Sequence, residues 1–188
     1  EHLEQAMALY NPTQHHAQAG LALDDAGVHC RCLAAVTLWY LGYPEQARQR
    51  VHEALTLAQV LAHSVTLAAA AVRAWAASVY QLRREVQAVH EQAEALMAFA
   101  TEQGLPYFMA VGMMWQGWFR VQQGQGEAAI SQLRLGWTRY QATGARLYTA
   151  VRLGLLAEAY SKVGQVEEGL AVLAEALTII DRTEERYH

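Results

Sequence analysis

The residues best suited to chemistry crowd one stretch near the start of the chain: His15, His16, Asp24, Asp25, His29, Cys30 and Cys32. Imidazole, carboxylate and thiolate are the side chains that hold zinc, and His-Cys-x-Cys has the right donors. The spacing is wrong. Two cysteines two apart on a helix point away from each other, and no standard zinc pattern is completed. A structural role is the expectation, with no metal site and no cofactor. Nucleophile elbow, P-loop and dinucleotide fingerprint are missing from the sequence, and His52-Glu53 and His90-Glu91 lack a second histidine four residues on. Glu167-Glu168 and Glu184-Glu185 fall near helix ends and read as solvated, the first pair favoured there by the helix dipole. Nothing here is placed as a facing acid and base, so no catalytic residue is expected and the chain reads as a non-enzyme.

The elements that would position these residues are helices. Of 188 residues 53% are apolar, alanine is abundant and only three prolines interrupt. The net charge of −4 comes without a basic block, which argues against nucleic acid as partner. The 67–80 stretch is apolar but short and broken by Arg73, so no membrane span is expected. Cys30 and Cys32, too close to brace a fold, read as reduced thiols in a cytoplasmic protein. The chain starts at Glu1 inside what reads as a helix, which suggests a piece of something longer.

Residues 153–177, LGLLAEAYSKVGQVEEGLAVLAEAL, read as two helices around a tight turn. Leu153, Leu156, Ala157 and Tyr160 share one face of the first. Gly164 suits a left-handed C-cap. Gly169, Leu173, Ala176 and Leu177 are expected on the inner face of the second. The stretch recurs. Steps of 40, 41 and 41 residues back from Gly169 reach Ala129, Ala88 and Ala47. Twelve residues before each anchor stand Ala35, Ala76, Gly117 and Ala157, all small, as close helix pairs require. The expected helices are 28–41, 44–62, 63–81, 84–103, 107–123, 127–142, 145–163 and 165–183.

This pattern resembles the tetratricopeptide repeat, with a longer period of about 40–41 residues. The resemblance implies an all-α right-handed superhelix of antiparallel hairpins. It covers residues 28–183 as four hairpins, 28–63, 64–104, 105–144 and 145–183. Residues 1–27 form a partial N-terminal repeat and connection, and the whole is one solenoid. The wording of GYPEQA, ATEQG, GQGEAAI and VGQVEEGLAVLAEAL also resembles the C-terminal repeat regions of large bacterial signalling ATPases and adenylate cyclase-type proteins. That likeness implies a sensor or scaffold region. Arg120 departs from the pattern, where the fourth hairpin has Tyr160.

In such arrays the first helices line a concave groove for partner peptides. Carried over hairpin by hairpin, the groove positions are His29, Cys32, Val36, Trp39 and Tyr40, then Arg73, Ala77, Tyr80 and Gln81. The third hairpin gives Met114, Trp115, Trp118 and Gln122, and the fourth Gly154, Glu158, Ser161 and Lys162. Aromatics and arginine are the hot-spot types. For any single aromatic, packing against a neighbouring helix is the favoured alternative to a groove role. Arg73 stands in an apolar helix, where a charge is costly unless paired or exposed in a groove. The expected function is binding of a protein or peptide. The alternatives are a small-molecule sensor controlling an attached catalytic domain, and self-association through exposed repeat ends.

Overall fold

The structure, a computed structural model, describes residues 2–11, 25–61 and 66–183. These residues form α1 (His2–Leu9), α2 (Ala26–Tyr40), α3 (Pro44–Leu61), α4 (Thr66–Leu82), α5 (Val86–Glu102), α6 (Pro106–Gln122), α7 (Gly126–Ala142), α8 (Thr149–Lys162) and α9 (Val166–Thr183). No strand occurs among them. They group into two compact units, Glu1–Gln103 and Gly104–His188. Each unit holds two antiparallel hairpins, α2/α3 and α4/α5 in the first, α6/α7 and α8/α9 in the second.

Each hairpin turns through one residue in the left-handed region: Gly42, Arg84, Gly124 and Gly164, which are 42, 40 and 40 residues apart. The N–H of the following residue reaches back to close the helix. Tyr43 donates to the Leu38 carbonyl, Glu85 to Tyr80, Gln125 to Arg120 and Gln165 to Tyr160, at 2.9–3.0 Å. This is the Schellman closure, which satisfies carbonyls that a helix end leaves unpaired. Three turns use glycine. The second uses Arg84 at φ 59°, where an L side chain is disfavoured by roughly 1–2 kcal/mol.

Arg84 corrects the repeat register. Without a glycine to mark that turn, sequence stepping places it at Arg83 and the anchor at Ala88. The structure places the anchor at Val89, so the buried column is Ala47, Val89, Ala129 and Gly169. The facing small column becomes Ala35, Ala77, Gly117 and Ala157, with Ala77 in place of Ala76. The residue matching Tyr160 in the second hairpin is therefore Tyr80.

Small residues let the paired helices approach. A Cβ at Gly117 would lie 2.7 Å from Leu133 Cγ, and one at Gly136 would lie 2.7 Å from Met114 Cγ and 3.3 Å from the Ala110 carbonyl oxygen. Such distances leave no room for a side chain without moving α6 off α7. Helix α8 starts at Thr149 rather than Ala145, because Tyr148 takes a left-handed conformation at φ 62° as its N-cap.

In the first unit Asp25, 1% exposed, caps α2. Its Oδ1 accepts from the Val28 N–H at 2.9 Å, and its Oδ2 accepts from the Tyr10 hydroxyl at 2.8 Å. Arg31 lies over the Tyr10 ring at 5.8 Å and donates to the Gly27 carbonyl. Burial, then the hydrogen bond to Asp25, pushes the Tyr10 phenol well above its ordinary value. A group whose folded pKa is raised stabilises fully below its unfolded pKa, here about 10, and that contribution is lost as pH climbs through the folded value. Tyr10→Phe is expected to flatten the alkaline limb of the unfolding profile above about pH 10. Melts of the wild type and variant across that range check it.

The last helix differs from its counterparts. Gly169 and Ala176 of α9 are buried against α8 as expected, but Leu173 is 44% exposed and Leu177 61%. Val166 and Leu170 continue the stripe, at 56% and 61% exposed. The expectation that Leu173 and Leu177 face inward is thus overturned. On α7 the matching Ile130 and Leu133 are buried, because in that unit α8 and α9 follow α7.

Candidate functional site

The residues expected in a groove separate into three groups. Met114, Trp115 and Trp118 are fully buried. They are packing residues of α6, the alternative that the sequence left open for each aromatic. In the first unit His29 and Trp39 are half-buried and Tyr40 is 48% exposed. His29 meets Trp75 edge-on at 6.4 Å between ring centroids, joining α2 to α4. Tyr80 and Gln81 are half-buried, and burial raises the phenol pKa of both Tyr40 and Tyr80.

Arg73 is half-buried, its Nε has no hydrogen-bond partner, and burial pulls its pKa down. The corrected register moves it. Arg73 matches Met113 and Leu153, both packing positions, rather than Met114 and Gly154. The residues on the Met114–Gly154 face of α4 are Ala74 and Ser78, at the same 40-to-42-residue steps.

The third group lies on α6 and α8 in the second unit. The Trp118 indole Nε1 donates to Glu158 Oε2 at 2.9 Å, and Gln122 Nε2 donates to Glu158 Oε1 at 3.3 Å. Lys162 Nζ donates in turn to Gln122 Oε1. Trp118 and Glu158 occupy the same repeat position on successive first helices, as do Gln122 and Lys162. The side-by-side packing of α6 and α8 is what brings each pair together. Glu158 is half-buried and Lys162 exposed, and a Cβ at Gly154, one turn before Glu158, would meet nothing within 4 Å. Both carboxylate oxygens are already held by fixed donors, which presents a charge of set orientation beside open space. Ser161 is exposed on the same helix. Sequence reasoning named all four partners. It could not show that the indole of Trp118 is inside and only its N–H serves the face.

In the His/Cys/Asp stretch, Asp25 is the α2 cap described above, and no disulfide joins Cys30 to Cys32. His15, His16 and Asp24 lie outside the described residues. Among the described residues no group of three or more His, Cys, Asp or Glu could hold a metal ion, and no helix is long and apolar enough to cross a membrane.

Paired helices closed by left-handed turns and columns of small residues define the class as an all-α protein of TPR-like helical hairpins. No family model matches the chain, and no curated protein matches it. Among solved structures it is similar to the nearly identical TPR-like repeats of a Podosopora anserina protein designated a kinesin light chain. The identity is 18% and the TM-score 0.51, over 97% of this chain and 89% of that one. The likeness is one of fold.

Proposed function

We propose that this chain is a non-catalytic protein-interaction module of a signalling or regulatory protein, and that it holds a peptide against the α6/α8 face. The observation that carries the reading is the Trp118–Glu158–Gln122–Lys162 chain of hydrogen bonds beside the open Gly154 position. A preorganised carboxylate and an exposed ammonium on one rigid face offer a peptide both a cation site and an anion site. Little is then lost in ordering the face on binding. The TPR-like fold supports a protein or peptide as partner, and the similarity in wording of GYPEQA, ATEQG, GQGEAAI and VGQVEEGLAVLAEAL to bacterial signalling repeats is what suggests the regulatory setting.

The test fills the open space. Gly154→Trp places an indole where nothing stands within 4 Å, so the fold should be kept, with helix stability raised by about 0.5 kcal/mol. Capture from host lysate by the wild type, beside Gly154→Trp and Lys162→Glu, should retain a protein that both variants lose. Identical sets retained by all three would sink the reading.

The apolar stripe on α9 favours a second reading, self-association of two copies through α9. Val166, Leu170, Leu173 and Leu177 alternate steps of four and three residues, the spacing of a helix-pairing seam. Sedimentation across a concentration series decides it: a mass that rises for the wild type and stays monomeric for Leu173→Gln/Leu177→Gln supports pairing, and a constant mass rejects it.

A further inference from the structure

Two groups of exposed apolar side chains serve no packing within the chain. One is the α9 stripe, Val166, Leu170, Leu173 and Leu177. The other closes α2: Tyr40, Leu41 and Tyr43, at 48%, 65% and 52% exposed. They belong to elements of opposite role, since α9 is the second helix of its hairpin and α2 the first of its own. Inside each unit such elements meet, when a second helix packs on the first helix of the following hairpin.

That meeting has a fixed geometry. In the first unit Arg83, one residue before its left-handed turn, donates to the Pro44 carbonyl at 2.5 Å and pairs with Glu45 at 2.9 Å. Pro44 and Glu45 stand two and three residues after the preceding turn. In the second unit Gly126 and Glu127 hold those places. Gly126 sits so close to Val163, one residue before the next turn, that a Cβ would overlap it. Glu127 accepts from Gln165, one residue after that turn, at 3.2 Å. Further along, Val51 of α3 packs with Ala76 and Val79 of α4. A second helix thus lays its start on the turn of the following hairpin and its stripe along that hairpin's first helix. On α9, Val166 and Glu167 hold the places of Gly126 and Glu127, and Leu173 that of Val51. At the end of α2, Leu41 and Tyr43 hold the places of Val163 and Gln165. In this register Val166 meets Leu41, apolar on apolar, and the Tyr43 phenol offers a donor to the Glu167 carboxylate.

Helix α1 already stands in part of this place. The Tyr10 hydroxyl reaches Asp25 as the Tyr140 hydroxyl reaches the Leu147 carbonyl, and Asp25 and Leu147 hold the same position in the first and fourth hairpins. So α1 lies on α2 as α7 lies on α8. Its Leu3, Ala6, Met7 and Tyr10 have the spacing of Leu173, Ala176, Leu177 and Ile180. But α1 has 8 residues against 18 in α9, and none of its residues is buried. It covers the start of α2 and leaves Tyr40 and Leu41 open.

We propose that α9 of one copy docks on α2 of a second copy in place of α1, so that copies join head to tail. The inference rests on the self-association reading and names the surface that α9 needs. A second copy is the occupant because this chain carries both halves of the contact, in the register its own hairpins use. Such a contact leaves a free end on each added copy, whereas α9 pairing with α9 stops at two. Helix α1 is then a built-in cap that association displaces.

Sedimentation equilibrium of the full chain over a concentration series is the test. The wild-type mass should rise past that of a dimer. Tyr10→Ala frees α1 from Asp25, so the same rise should come at about tenfold lower concentration, as less of the population is held capped. Leu41→Glu, at an exposed position that would face Glu167, should be monomeric alone, and so should Leu173→Gln/Leu177→Gln, both with melts like the wild type. Mixed in equal amounts, these two should form a dimer and stop there, because each keeps the end the other has lost. A mixture that stays monomeric overturns the proposal. So does a Leu41→Glu variant that associates as the wild type does, which leaves α9 pairing with α9 standing alone. A constant mass for both the wild type and Tyr10→Ala rejects the two together. Should Tyr10→Ala fail to fold, Met7→Gln takes its place, and a folded α1 variant that associates no more strongly than the wild type also overturns the proposal.

Discussion

Trp118→Ala is expected to destabilise the second unit by about 3–5 kcal/mol, the range for truncating a fully buried large aromatic. The side chain has no exposed surface, so its removal leaves a cavity that the tightly paired α6 and α7 cannot collapse to fill. At Gly117, next to it in sequence, there is no room even for a Cβ beside Leu133, so α6 and α7 are already in close contact there. The substitution also takes the Nε1 donor from Glu158, leaving a half-buried carboxylate with one fewer partner. Trp118→Phe separates the two effects. It keeps most of the packing and loses the hydrogen bond, and should cost about 1–2 kcal/mol. Denaturant melts of both variants check this. A cost near zero for Trp118→Ala would mean that the indole is a surface group after all. A consequence for binding studies follows: loss of a partner in Trp118→Ala reports lost folding as readily as lost contact, which is why Gly154→Trp and Lys162→Glu are the better probes of the face.

Leu133→Ala and Leu173→Ala should differ by several-fold in cost although the two leucines hold the same place in successive repeats. Leu133 on α7 is fully buried and packs where Gly117 leaves space for it. Its truncation should cost about 2–5 kcal/mol. Leu173 on α9 is 44% exposed, and its truncation should cost less than about 1 kcal/mol, since roughly half of its transfer term is never realised. The pair is measured under one set of conditions by chemical unfolding. Equal costs would show that the α9 stripe is covered in solution, as the self-association reading requires. Repeating the Leu173→Ala melt at higher protein concentration would then reveal the dependence that coupling to association imposes.

The sequence by itself determined that this chain is a set of antiparallel helix pairs. Glycine at 42, 124 and 164, Pro44 at a helix start, and small residues at 35, 117, 136, 157, 169 and 176 are local instructions. They state where a helix must stop and where two backbones must touch, and they need no knowledge of the rest of the molecule. The boundaries of most helices, and the burial of Leu153, Leu156, Ala157 and Tyr160, follow from them. The site was half legible for the same reason. Residues forty apart on adjacent first helices must be neighbours, so Trp118, Gln122, Glu158 and Lys162 could be named together.

Tertiary structure decided three things that spacing leaves open. The second turn carries no glycine, and only the backbone shows that Arg84 rather than Arg83 takes the left-handed conformation. One residue of slip turns a helix face by about 100°, which is enough to move Arg73 off the face it was assigned to. Helical spacing also cannot tell which of two apolar stripes will be covered. Leu133 and Leu173 have the same local pattern and opposite fates, because burial is a property of the neighbour and not of the helix that bears the residue. The exposure of Arg152 is the third. Its sequence context, Ala150-Val151-Arg152-Leu153, gives no sign that the guanidinium would lie inside over an indole. That position is set by Tyr148, whose left-handed turn starts α8 four residues late and fixes which way the first turn of the helix faces.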